Sequence, residues 1–317
     1  MLCRTANDLF WMARHIERAE NTARMLDVTF RMSLLPYEVI EPGLAWAEPW
    51  AVPLISSGLA TAYYERHPLL SAGNVLRFMI LDASNPSSIF CCIRSARESA
   101  RAVRGAITSE MYEDLNSAWL EVRAYDYARI ERQGVSEFLD WVKMRSHLFR
   151  GVTFGTMLRD EAYHFIRLGT HLERADNTAR ILDVKYHTLL PSAADVGGAV
   201  DYYQWGALLR SVSGFESYRK IYSDVITPRR VAELLILRED MPRSLHACMN
   251  FIHETLERLC DANSREIERA AGELHMKLRY GRTDDIIKLG LHEYLMEFLD
   301  RISELGNEIS RHFLVPA

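Results

Sequence analysis

The chain has 317 residues, 48% hydrophobic and 26% charged, with a net charge of −5. That composition excludes a disordered or fibrous chain, and the acidic balance argues against non-specific binding to nucleic acid. Arg4, Asp8, Arg14 and Glu17 interrupt any apolar leader, no run approaches the ~18 apolar residues of a membrane span, and the five cysteines lack a C-x-x-C pair. Reduced thiols and a cytoplasmic protein with no membrane contact are therefore expected.

The first element is a long helix. Leu9, Met12, Ile16, Ala19, Ala23, Leu26 and Phe30 are spaced alternately by three and four, a heptad seam. Its alanines would let another backbone approach closely, and Pro36 should stop it. A proline-containing loop with Trp46 and Trp50 follows, a packed segment or a docking element. "VLRFMIL" (75–81) is the best strand candidate in the chain. Pro86 suits the first turn of a helix carrying Arg94, Arg97, Arg101 and Arg104 on one face. Helical spacing continues through 108–131 and 135–156.

The chain then starts again. His15–Val28 reads HIERAENTARMLDV and His171–Val184 reads HLERADNTARILDV, eleven of fourteen positions being identical at an offset of 156. The offset recurs at Ser57-Gly58 and Ser213-Gly214, at Pro86, Ser88 and Cys92 against Pro242, Ser244 and Cys248, and at Gly134 and Glu137 against Gly290 and Glu293. Only the loops after Pro36 and Pro191 break it. "VAELLIL" (231–237) reads as a short helix, and 263–281 and 284–312 carry helical spacing. The expected fold is all-α: a bundle of about ten to twelve helices, built from tandem repeats 1–156 and 157–317 related by a pseudo-two-fold axis and packed as one compact unit.

A polar stripe, Glu17, Glu20, Asn21, Arg24 and Asp27, is read opposite the seam of the first helix. The second copy keeps it as Glu173, Asp176, Asn177, Arg180 and Asp183, with only acid-for-acid changes, while the seam itself changes: Leu9 to Phe165, Met12 to Leu168, Phe30 to Tyr186. Cores tolerate volume-conserving swaps and solvated faces tolerate most changes, so a fixed polar stripe points to directional contacts. Two readings stand: an internal ion-pair network in which Arg24 and Arg180 bridge acids and neighbouring helices, or the lining of a ligand or partner site. The four arginines 94, 97, 101 and 104 either meet the acids of the first helix or form an anion site for carboxylate or phosphate. Their counterparts are Asn250, His253, Glu257 and Cys260, so that face is not duplicated. His15/Glu17 and His171/Glu173 do not suggest a metal site, because i and i+2 side chains on a helix diverge by about 200°. No phosphate loop, dinucleotide fingerprint or nucleophile elbow is present, and no cofactor is expected.

The opening "MLCRTANDLFWMARHIERAENTARMLDV", with "NPSSIFCCIRSARESAR" (85–101), "MYEDLN" (111–116) and "MPRSLHACM" (241–249), resembles the alpha-E domain family, helical proteins with a Glu-Arg motif. Glu17-Arg18 and Glu173-Arg174 fall where that motif would be; Ser99 and Tyr112 depart from the family pattern, which has Asn and Trp there. The resemblance implies a bacterial protein encoded beside circularly permuted ATP-grasp and transglutaminase-like proteins. It therefore implies an accessory or interaction role in a peptide- or amide-forming system. The alternatives are an enzyme acting on an amide or carboxylate through Glu17, Glu20 and Glu173 with the Arg face as anion site, and a purely structural scaffold.

Overall fold

A computed structural model describes residues 1–33, 49–188 and 199–315. Among these residues there are sixteen α-helices and no strand. The two longest are α1 (Cys3–Ser33) and α9 (Glu161–Thr188). Pro36, Pro191 and Trp46 lie outside the described residues, whereas Trp50 is buried.

Between the long helices run α2 (Val52–Ser56), α3 (Ala60–Tyr64), α4 (Ala72–Ile80), α5 (Ile89–Ala102), α6 (Ser109–Val122), α7 (Tyr127–Gln133) and α8 (Val135–Thr156). After α9 come α10 (Ala199–Ser211), α11 (Phe215–Tyr222), α12 (Pro228–Ala232), α13 (Leu245–Leu259), α14 (Arg265–Arg279), α15 (Thr283–Leu289) and α16 (Leu291–Ile309).

The helices outnumber the ten to twelve expected because local breaks divide long periodic segments. Gly134 (φ 109°) and Gly290 (φ 104°) turn the chain between α7 and α8 and between α15 and α16. Residue types with a Cβ rarely adopt that backbone. Asp126 caps α7 by accepting from Arg129 N, ending the single helix expected over 108–131. The strand candidate 75–81 is helical instead: Ser71 caps α4, which buries Val75, Leu76, Phe78, Met79 and Ile80 and leaves Arg77 exposed, so the apolar run marks a largely buried helix. "VAELLIL" is a short helix running into a wider π-type turn at Glu233–Leu237. Pro86 and Pro242 lie in the turns before α5 and α13, whose N-caps are Ser88 and Ser244.

α1 packs against α9, α5 and α8, and α9 packs against α13 and α16. The long helices approach closely at Gly169, where a Cβ would lie 2.3 Å from the Phe10 carbonyl oxygen. The seam residues Leu9, Met12, Ile16, Ala19, Ala23 and Leu26 are buried as the heptad spacing requires. The stripe does not form a solvated opposite face. Glu17 is 1% exposed and Glu20 0%, so α1 is enclosed nearly all round and its polar residues lie within the protein. All five cysteines are unpaired, with Cys91, Cys92 and Cys248 buried.

Candidate functional site

Where α1 crosses α9, the Glu-Arg dipeptides of the two helices exchange partners. Arg18 Nε and Nη2 donate to the Glu173 oxygens at 2.6 and 2.9 Å. Arg174 Nε and Nη2 donate to the Glu17 oxygens, both at 2.9 Å. Each contact is a bidentate fork, the strongest arrangement for a guanidinium and a carboxylate. Four charges brought into the protein interior this way need further compensation, since desolvation of each costs several kcal/mol.

Further partners come from distant segments. Arg243, in the turn before α13, donates to Glu17 Oε1 (2.9 Å), Glu20 Oε1 (2.7 Å) and Asn21 Oδ1 (3.0 Å). Arg150 of α8 reaches Glu17 Oε2 at 3.1 Å and also hydrogen-bonds Glu20. Ser146 Oγ donates to Glu20 Oε2 at 2.7 Å. On the other side, Arg14 Nε joins Arg18 on Glu173, at 2.8 Å.

The electrostatics follow from these contacts. Burial pushes the Glu173 carboxyl up, but Arg18 and Arg14 outweigh it and hold it at about 2. Burial likewise raises Glu17, and Arg174 and Arg243 reverse the sign and keep it below the ordinary carboxylate range. Glu20 is raised by burial and brought well below that range by its contacts with His147, Arg243 and Arg150. The motif carboxylates therefore stay ionised at neutral pH. Beside them, burial lowers His15 to about 4 and drives the Cys92 and Cys248 thiols up to about 12. Those thiols are poor nucleophiles.

The remaining stripe residues are placed differently from one another. Arg24 donates to Glu20 Oε1 (2.8 Å) and Ser213 Oγ (2.6 Å) and lies 3.2 Å from His147 Nε2. Arg180 forms an intrahelical fork with Asp176 (2.8 and 3.0 Å), half-exposed. Helix-crossing pairs thus fall on Arg18 and Arg174, not on Arg24 and Arg180. Asp27 takes Arg31 and Lys143, and Asp183 lies 2.6 Å from His292 Nδ1.

Arg94, Arg97 and Arg101 of α5, with Arg104 two residues past its end, take partners outside this cluster. Arg94, Arg101 and Arg104 are exposed. Arg97 and Arg101 take Glu98, Arg97 also takes Asn116, Arg94 lies over Phe90, and Arg104 lies over Tyr112. Local rings and Glu98 occupy these arginines, in place of the expected acids of α1. Among the described residues no group of three His, Cys, Asp or Glu could hold a metal ion, and no helix is long and apolar enough to cross a membrane.

A polar cavity of about 540 Å³ adjoins the Glu173 side of the crossing. Its wall includes Arg14, Arg18, Asn21, Glu173, Asp176, Asn177 and Arg180, with Phe10, Trp11 and Met25 supplying apolar surface. A second space, beside Asp114, measures about 10 Å³, room for little more than a water. Sequence reasoning missed Arg14, Ser146, Arg150 and Arg243, because each meets its carboxylate across a tertiary contact that no local spacing encodes.

Residues 1–314 match a family model described as a predicted alpha-helical domain with a conserved ER motif. Uncharacterized proteins of Mycobacterium bovis and Mycobacterium tuberculosis are each 24% identical to the chain over 320 residues. The match covers 93% of this chain and 35% of each relative, so the chain spans about a third of the length of the curated relatives it matches. No solved structure matches.

Proposed function

The chain belongs to the Alpha-E family, and from that premise we propose that it is two tandem helical repeats, residues 1–156 and 157–317, related by a pseudo-two-fold axis and acting as an accessory or interaction component of a bacterial ATP-grasp-linked system that forms peptide or amide bonds. The repeat part is supported by helix starts at the same offset: Ile89 and Leu245, Ser109 and Arg265, Tyr127 and Thr283, Val135 and Leu291. It is also supported by the crossed Glu-Arg forks, since reciprocal contacts of this kind are what a two-fold relation generates.

One observation carries the accessory reading. Glu17, Glu20 and Glu173 are buried, each hydrogen-bonded to at least two guanidiniums, and held ionised. A general acid or base needs a proton that exchanges near the working pH and a substrate within reach. None of these carboxylates offers such a proton, and of the three only Glu173 borders the cavity, which weighs against the enzymatic alternative. Asp114, whose carboxyl burial raises to about 6, borders the 10 Å³ space, which has no room for a substrate. The length of the relatives fits as well: a unit matched over 35% of a longer chain is suited to work beside other components.

The test is co-purification with a circularly permuted ATP-grasp protein from the same genome. At tens of micromolar, enough to populate a complex of micromolar Kd, the two should share a size-exclusion peak that shifts from either alone. Separate elution, with and without ATP and peptide, would overturn the docking role and leave a scaffold.

A further inference from the structure

The cavity marks the place where the two halves, aligned at their 156-residue offset, are filled differently. On the Glu17 side, Arg243 and Arg150 pack their guanidiniums against Glu17 and Glu20, and His147 Nε2 lies 3.6 Å from Glu20 Oε1. Counting 156 positions along, Ser87 stands for Arg243, Gly306 for Arg150 and Ser303 for His147, and all three line the cavity. Two arginines and a histidine have become two serines and a glycine. The space is a cleft open to solvent, with Ser57, Gly58, Ser303 and Asn307 exposed at its rim, so a ligand can enter it. Its volume and its mixture of polar groups with an aromatic wall are those of a small-molecule site.

The wall states what chemistry it would accept. Glu20 takes guanidiniums from Arg24, Arg243 and Arg150, whereas its counterpart Asp176 takes Arg180 and faces the space where Arg243 would have been. That space suits a cationic nitrogen. Yet the wall carries three guanidiniums, of Arg14, Arg18 and Arg180, against the two carboxylates of Glu173 and Asp176. It therefore also favours a negative group. Asn21 adds a donor at the wall: its Oδ1 accepts from Arg243, which leaves Nδ2 buried without a partner. An amide nitrogen can only donate, so it is answered by an acceptor such as a carboxylate oxygen.

We propose that this cavity binds a small molecule of the amino-acid or short-peptide class, its ammonium or guanidinium group standing against Asp176 where Arg243 stands in the other half, and its carboxylate on the Arg14 and Asn21 side. The hydrocarbon of such a ligand lies on Phe10, Trp11 and Met25. The site rests on the repeat part of the reading above and is independent of the ligase part.

The test uses the intact chain with free L-arginine and alanyl-alanine as probes, and agmatine and acetate as controls carrying one charge sign each. Calorimetry should show both probes binding and each control at least about tenfold weaker. Ser87→Arg and Gly306→Arg should each extend a guanidinium into the cleft beside Asp176 and Glu173, as Arg243 and Arg150 do beside Glu20 and Glu17, raise the melting temperature and weaken probe binding at least about tenfold. Gly306→Arg keeps the test alive should Ser87→Arg misfold, because a Cβ at Gly306 meets nothing within 4 Å. No binding of either zwitterion up to about 10 mM, controls binding as well as probes, or binding that survives both fillings would each overturn the proposal. Destabilisation by both fillings would instead count against the repeat correspondence on which it rests.

Discussion

A carboxylate taken out of water is stable only among its partners, so single side chains at the crossing should differ sharply in their effect on stability. Arg174 is nearly buried and forks Glu17, while Arg180 is half-exposed and forks Asp176. Arg174→Met should cost roughly 3 kcal/mol, the low end for a broken buried pair because Arg243 and Arg150 remain on Glu17. Arg180→Ala should cost less than about 1 kcal/mol, as exposed pairs do. Denaturant melts of the two variants check this, and equal effects would remove the distinction. Much of this cluster was legible in the sequence. Spacings of three and four placed Glu17, Glu20, Asn21 and Arg24 on one stripe, and the recurrence of the same pattern at Glu173, Asp176, Asn177 and Arg180 pointed to directional contacts. Arg243 and Arg150 were not legible, because proximity to Glu17 across 226 and 133 residues is set by the fold and leaves no local period.

The same groups set a pH dependence. His15 titrates at about 4 in the folded protein against 6.5 as a free side chain, and Glu173 at about 2 against 4.5. Both folded values are depressed. The contribution of each is therefore complete above its unfolded pKa and lost as the pH falls through the folded one, because the unfolded chain takes up the proton first. The His15 window runs from 6.5 down to about 4, and the Glu173 window from 4.5 down to about 2. Stability should fall continuously below pH 6.5, at up to about 1.4 kcal/mol per pH unit for each group titrating. In His15→Asn the upper part of the decline should shrink. A flat midpoint between pH 7 and 5 in the parent chain would contradict the burial of this imidazole.

Among the helices, the crossing of α1 and α9 depends on one absent methyl group. A Cβ on Gly169 would overlap the Phe10 carbonyl oxygen at 2.3 Å, and backbone cannot swing aside as a side chain can. Gly169→Ala should part the helices, lengthen the four Glu-Arg hydrogen bonds and cost about 1–3 kcal/mol, despite the gain in helix propensity that usually accompanies this change. A variant as stable as the parent would mean that the approach is looser than the geometry states. The helical character of the chain was readable from its periodicity. Its subdivision was less so, since Gly134 and Gly290 act through a positive φ that helical spacing does not reveal. The run 75–81 could be read as strand or helix because a short, mostly buried segment with Arg77 as its one polar residue gives too little to fix its period.

At the scale of the whole molecule, charges are compensated across the midpoint of the chain. Glu173 takes its described guanidiniums, Arg14 and Arg18, from the first 156 residues. Two of the guanidiniums on Glu17, from Arg174 and Arg243, come from the remainder. One apolar cluster likewise joins Leu9, Phe10 and Met12 to Phe165, Leu168 and Leu172. Cut at residue 156, each fragment would expose its share of that cluster and retain charges whose partners are in the other piece. Separately produced, 1–156 and 157–317 should lack a cooperative melt near that of the intact chain. Mixed, they should assemble one to one and recover it, with a midpoint that rises with concentration as mass action requires. Weakening one fork, as in Arg18→Met, should weaken this assembly at least about tenfold, since a buried pair of this kind is worth more than 1.4 kcal/mol. Two fragments that each melt cooperatively as monomers, indifferent to one another, would show that the crossed pairs ornament two independent domains and do not join halves of one.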